Sequence, residues 1–200
     1  SETQQITNNK NTTHDNNNIK NDKNKLDITS DTCFKYTGYT LNYLDIIDSI
    51  SDTTSCVVIA NPNSPLGDCM DIDNIEAIIK ACNIKDIPIL IDEAYIEYSE
   101  LTSCINLLDK YDNLVISRTF SKALGCAGLR MGYLLGNNNI MEVINKFVPT
   151  YELPSIPVKF GCYLLDNYHF VDEYIVKIKQ ERDLLREACN KYCILYDIGH

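Results

Sequence analysis

In Leu114-Val115-Ile116-Ser117-Arg118-Thr119-Phe120-Ser121-Lys122, a short apolar run gives way to hydroxyls and a lysine. The run has the pattern of a buried strand, and the polar residues fall where such a strand stops. Two earlier stretches behave the same way. Cys56-Val57-Val58-Ile59-Ala60 leads into Asn61, and Ile87-Pro88-Ile89-Leu90-Ile91 leads into Asp92, its proline tolerated at the strand start. Between these two, Asp71 caps a helix whose Ile72, Ile75, Ile78, Ile79 and Cys82 share one face, ending near Asn83. Helical spacing also marks residues 41–47 and 105–108. Residues 129–135 read as a fourth strand after a glycine-bearing turn. Apolar strands alternating with amphipathic helices predict an α/β fold, a mainly parallel sheet with helices on both faces. Ligands of such sheets collect beyond the carboxyl ends of the strands, where all three polar segments begin.

The flanks differ from this core. Residues 1–32 are rich in asparagine, with Thr, Lys and Asp between and almost no large apolar residue, and are expected to be disordered. Residues 33–150 carry the globular pattern. Pro149, Pro154 and Pro157 break the rhythm, so residues 151–200 are expected to be a linker and a helical region. There Glu181, Arg182, Asp183 and Arg186 take the wetter faces.

With 44% hydrophobic residues among 200, the chain can bury a sizeable core. Its formal charge of −10 argues against nonspecific nucleic-acid binding, which needs a basic surface. No apolar stretch is long enough to span a bilayer, and no secretory signal is expected. The nine cysteines form no CxxC pair and are expected to be reduced thiols in a cytoplasmic compartment. Three scattered histidines support neither a zinc site nor a histidine-based triad.

The chemistry lies in the three polar segments. Asp92, in Ile91-Asp92-Glu93-Ala94-Tyr95, could pair with a pyridinium nitrogen, and Tyr95 could donate a hydrogen bond to a phenolic oxygen on the same ring. Taken alone, Asp92 reads first as a carboxylate capping the next turn. An apolar run ending in Asp-Glu also describes a magnesium-binding strand of nucleoside triphosphatases, but no GxxxxGK[ST] loop accompanies it. Asn61-Pro62-Asn63-Ser64-Pro65-Leu66-Gly67 is either an ordinary strand-to-helix loop or a polar wall for a ring, with Asn63 and Ser64 as its candidate contacts. Lys122 sits in a turn after a strand, placed for imine formation. Thr119, Ser121 and Arg130 offer two hydroxyls and a planar cationic fork for a phosphate. Taken together, an imine-forming lysine, a ring-nitrogen carboxylate and a phosphate cradle point to pyridoxal 5'-phosphate (PLP).

At these residues the chain resembles the fold-type I PLP enzymes, and within them the histidinol-phosphate aminotransferase group and its relative threonine-phosphate decarboxylase. Residues 61–67 resemble that group's NPNNPTG loop, with Ser64 and Leu66 in place of its usual asparagine and threonine. Asp92-Glu93-Ala94-Tyr95-Ile96-Glu97-Tyr98 resembles DEAYIEF. Residues 118–133 resemble RTLSKAFGLAGLRLGY almost throughout, and Glu181-Arg182 fits an ER pair in the helix leading to the smaller domain. The resemblance implies that residues 33–150 are part of a PLP-binding large domain and residues 151–200 the linker and helical start of a small one. It implies that Lys122 bonds the cofactor and shuttles a proton. Asp92 would pair with the ring nitrogen and Tyr95 with the phenolic oxygen, while Thr119, Ser121 and Arg130 would hold the phosphate. The implied partners are an amino donor and a 2-oxo acid, in an enzyme that is a homodimer when full length. The family's first segment and its carboxylate-binding arginine have no counterpart here, so the chain is expected to be the middle of a longer enzyme. A decarboxylase or lyase on the same scaffold, and an inactive or noncatalytic fragment of such an enzyme, are the alternatives.

Overall fold

The computed structural model describes residues 42–149 and 153–192. The disorder expected for residues 1–32 lies outside them. Helix α1, Tyr43–Ser49, starts where Asn42 accepts a bond from the Leu44 amide at 3.1 Å. Strand β1 is Val57–Ala60, and helix α2, Ile72–Ile84, begins at Asp71 as its capping chemistry predicts, with the carboxylate accepting from Asn74 N at 2.8 Å. Strand β2 is Ile89–Asp92 and β3 is Leu114–Thr119. Between them the helical spacing at residues 105–108 becomes a short 3-10 turn, Cys104–Leu107. Strand β4 is Gly132–Gly136, followed by α3, Asn138–Asn145, then α4, Ser155–Asp166, and α5, His169–Lys191.

The four strands form one sheet in the order β1-β2-β3-β4. The first three are parallel, with Ile59 beside Ile91 and Ile91 beside Ile116. β4 returns antiparallel along β3, pairing Gly132 with Thr119. It starts later than the expected residue 129 because Ala127–Leu129 form a 3-10 turn and Arg130 takes a left-handed φ of 54°. Neither conformation continues a strand. Gly132 then lets the returning chain approach closely: a Cβ there would lie 2.9 Å from the Arg118 carbonyl oxygen.

Alternation along each strand divides the side chains between two faces. Ile59, Ile89, Ile91, Leu114 and Ile116 point toward α2, whose Ile75, Ile78, Ile79 and Cys82 are fully buried against them. Each such isoleucine contributes roughly 1.5–3 kcal/mol of burial, so this interface sets the sheet's position. On the other face, Val115 is buried while Val58 is 65% exposed. A second cluster of Phe120, Leu124, Met131 and Val171 ties the segment after β3 to α5. No helix among the described residues is long and apolar enough to cross a membrane.

Candidate active site

The carboxyl ends of β1, β2 and β3 carry the polar residues singled out above. After β1, the Asn61 amide nitrogen donates to Asp92 O at 2.9 Å, extending the ladder by one bond. The buried Asn61 side chain then closes the following loop on itself. Its Nδ2 donates to Met70 O at 2.8 Å, and its Oδ1 accepts from Met70 N at 2.9 Å. Inside that clamp Asn63 bonds through its backbone to Asp68 and Gly67, and Gly67 takes a φ of 70° that a side chain would strain. Pro62, Asn63, Ser64, Pro65 and Gly67 thereby form one wall of a cleft of about 220 Å³, with Tyr95 and Tyr98 opposite.

At the end of β2, Asp92 Oδ1 accepts from Ser117 Oγ at 2.9 Å and from Ala94 N at 3.1 Å. The carboxylate is thus fixed to β3 on the sheet face away from α2. Three residues on, the Tyr95 hydroxyl meets two partners. Hydrogen bonding from Lys122 chiefly, and then from Ser64, holds its pKa below the ordinary tyrosine value. The Lys122 ammonium also stands over the Tyr95 ring, 4.8 Å from its centroid. Lys122 is exposed as a residue, yet its amine end turns back onto the tyrosine. Burial, and then Tyr174, pushes the Tyr98 hydroxyl the other way, upward.

Beyond β3 the turn is locally closed. Thr119 Oγ1 accepts from Ser121 N at 3.1 Å and donates to Met131 O at 3.3 Å. Gly125 N bonds Lys122 O at 2.9 Å, and Cys126 N bonds Phe120 O at 2.8 Å. These bonds leave Lys122 projecting from a tight loop whose base, Phe120 and Leu124, is buried.

The structure therefore gathers Lys122, Tyr95 and Ser64 by direct contact, with Asp92 three residues from Tyr95 and Asn63 in the cleft wall. Thr119 and Ser121 sit together at the root of the lysine turn. Arg130 is apart from them: it is exposed, its Nη1 donates to Ala127 O at 3.4 Å, and among the described residues no hydrogen bond joins it to Thr119 or Ser121. Two contributors were missed in the sequence. Ser117 holds Asp92, and its position two residues before Thr119 on one strand face was the available signal. Asn61 clamps the loop, and an asparagine directly after an apolar strand was the clue there.

Comparison with known proteins places these features. Residues 13–200 match the family model for aminotransferase class I and II. A histidinol-phosphate aminotransferase of Cytophaga hutchinsonii is 33% identical over 175 residues, covering 88% of this chain and 49% of that protein. The solved structure of a histidinol-phosphate aminotransferase from Clostridium acetobutylicum superposes with a TM-score of 0.71 at 28% identity, covering 78% of this chain and 47% of that one. One from Sinorhizobium meliloti, in complex with pyridoxal-5'-phosphate, gives 0.60 at 28% identity over 64% of this chain and 35% of that one. The chain spans about half the length of the first of these relatives. With nearly all of its residues inside the family match, and a lysine, tyrosine and aspartate assembled at the strand ends, this chain belongs to the class I and II aminotransferases.

Proposed function

We propose that this chain carries the PLP-binding half of an aminotransferase that moves an amino group between an amino acid or histidinol-phosphate-like amino-phosphate and a 2-oxo acid. The observation that carries this reading is the Lys122 amine held on Tyr95, which Ser64 also bonds, beside an Asp92 carboxylate pinned to β3. The donor set suits the cofactor: an amine for an aldehyde, an acid for a ring nitrogen, a phenol for the ring oxygen, and hydroxyls for a phosphate. When bound, PLP supplies an electrophilic aldehyde and a ring that draws electrons from the substrate α-carbon.

The chain's own residues do the rest. Lys122 Nζ would hold the cofactor through its aldehyde and would move the proton at the substrate carbon. Asp92 would keep the ring nitrogen protonated, and Ser117 fixes the carboxylate that would do so. Tyr95 would donate to the ring oxygen, while Asn63 and Ser64 would wall that side. Thr119 and Ser121 would hold the phosphate at the end of β3, and the Arg130 guanidinium would supply its cationic donors. The support for an amino-phosphate donor is the similarity to histidinol-phosphate aminotransferases. The family likeness also favours a cytoplasmic homodimer for the full-length protein.

The test is spectroscopic. Full-length protein titrated with PLP is expected to show the absorbance of lysine-bound cofactor, and Lys122→Ala to lose it. No such band in the unaltered protein would overturn the reading. With histidinol phosphate as donor, 2-oxo acid must be consumed; carbon dioxide release from a carboxylate-bearing substrate such as threonine phosphate, without that exchange, would select decarboxylation instead.

A further inference from the structure

Glu93 is 1% exposed, follows Asp92 directly, and points to the opposite face of the sheet. Its carboxylate accepts four bonds. Cys104 N reaches Oε1 at 2.7 Å, and Ser103 Oγ reaches Oε2 at 2.8 Å. Arg118 supplies the other two to Oε2, from Nη2 at 2.7 Å and Nε at 3.1 Å. The same guanidinium donates to Ser103 Oγ at 2.8 Å and to Glu97 Oε1 at 3.3 Å. Arg118 is equally well placed in sequence, lying between Ser117 and Thr119.

The strands alternate, so each site residue has a partner of this network one position away on the other face. Asp92 backs onto Glu93, and Ser117 and Thr119 flank Arg118. The backbone ladder between the two strands ends here as well: Glu93 N donates to Ser117 O at 3.0 Å, just past the last paired residue of β2. A buried ion pair contributes little to stability compared with well-packed apolar groups, so its presence at this point calls for another role. Two N–H groups of the guanidinium fork converge on the single oxygen Oε2, which fixes angle as well as distance.

We propose that Glu93 and Arg118 are positioning residues for the PLP site: their buried fork locks the carboxyl ends of β2 and β3 together and so sets Asp92 against the lysine turn. This rests on the aminotransferase reading above. Neither residue touches the site; both act through the adjacent peptide groups.

The experiment uses the full-length protein and three variants, Glu93→Gln, Arg118→Lys and, just before the amino end of β3, Tyr111→Phe. Tyr111 donates to Glu76 at 2.8 Å and has no part in the site. PLP dissociation constant, visible circular dichroism of the bound cofactor and the thermal midpoint of the cofactor-free protein are measured for each. Arg118→Lys keeps the charge and loses the fork, so it is expected to weaken PLP binding by about tenfold or more and to reduce the dichroism. Glu93→Gln is expected to do the same, whereas Tyr111→Phe lowers the thermal midpoint with PLP affinity unchanged. Binding within about twofold of the unaltered protein in both site-side variants, with the same dichroism, overturns the proposal whatever their thermal midpoints. Failure of both to fold assigns the pair to folding alone and also overturns it. If the unaltered protein shows no lysine-bound PLP, the aminotransferase reading falls first and takes this inference with it. A normal band with indifferent variants sinks the inference only.

Discussion

A phenol ionises near pH 10 unless its oxygen is held by donors or stripped of water. Tyr95 falls in the first class, through Lys122 and then Ser64, while Tyr98, Tyr133 and Tyr168 are pushed up chiefly by burial. The lowered value means that the folded chain favours the ionised phenol more than the unfolded chain does. Its stabilising effect is therefore present above the unfolded tyrosine value and is lost as pH falls through the lower folded one. Subtracting the alkaline absorbance titration of Tyr95→Phe from that of the unaltered protein is expected to isolate a phenol that ionises below the ordinary value. Ser64→Ala should move that component upward. A component at or above the ordinary tyrosine value would show that neither donor stays on the oxygen in solution. The thiols offer a second check on burial. Desolvation pushes Cys104 up to about 12 and Cys82 up to about 11, whereas Cys56 and Cys162 are exposed. Alkylation of the native protein near pH 8 is expected to mark Cys56 and Cys162 and to spare Cys82 and Cys104. Early labelling of Cys104 would contradict the packing around Glu93.

Among the elements, α2 and the loop after β1 carry the clearest mechanical roles. Ile79 is fully buried, so Ile79→Ala should cost about 2–5 kcal/mol in denaturant unfolding through lost transfer energy and a cavity. Asn61→Ala removes no core volume of that kind but strips both Met70 backbone groups of their partners, at about 1–3 kcal/mol. Its signature is local: faster exchange of the Met70 amide, with α2 amides unchanged. Equal acceleration in both places would mean that the loop and the core unfold as one unit. These elements were legible to different degrees. Strands β1 to β3 and α2 were readable because the strands are uninterrupted apolar runs and the helix carries a 3.6-residue stripe. The N-cap at Asp71 was readable because a side-chain oxygen is needed at that position. β4 was misplaced by three residues because Leu129 is as apolar as Leu134, and hydropathy carries no record of the left-handed turn at Arg130. The site divides the same way. Lys122, Asp92 and Tyr95 announce themselves as polar residues after apolar runs. Ser117, Glu93 and Arg118 do not, because their importance comes from what the neighbouring strand places opposite them.

At the scale of the whole molecule, what matters is how α5 is joined to the unit that bears the site. Two kinds of contact do it. Val171 packs with Phe120, Leu124 and Met131 beneath the lysine turn. Farther along, Arg182 Nη1 donates to Tyr98 O at 3.1 Å, and Lys179 Nζ donates to Ser99 O at 3.2 Å and to Glu100 at 2.7 Å. The Lys179–Glu100 pair lies in solvent on the glutamate side, where side-chain freedom and salt remove most of its effect. The Arg182 bond is different. Its side chain is 21% exposed and its guanidinium meets a carbonyl three residues past Tyr95, so removing it leaves a partly buried acceptor without its partner. Arg182→Ala is expected to loosen α5 by about 1.5–3 kcal/mol, read as faster amide exchange across residues 172–188. Exchange in β2 and β3 should stay as it was. Glu100→Ala should leave α5 nearly unaffected, and raising the salt concentration should mimic Glu100→Ala, not Arg182→Ala. If α5 exchanges at its original rate in Arg182→Ala, the Arg182 bond is incidental, and the apolar contact around Val171 with the Lys179 bond to Ser99 O fastens the helix beneath the site.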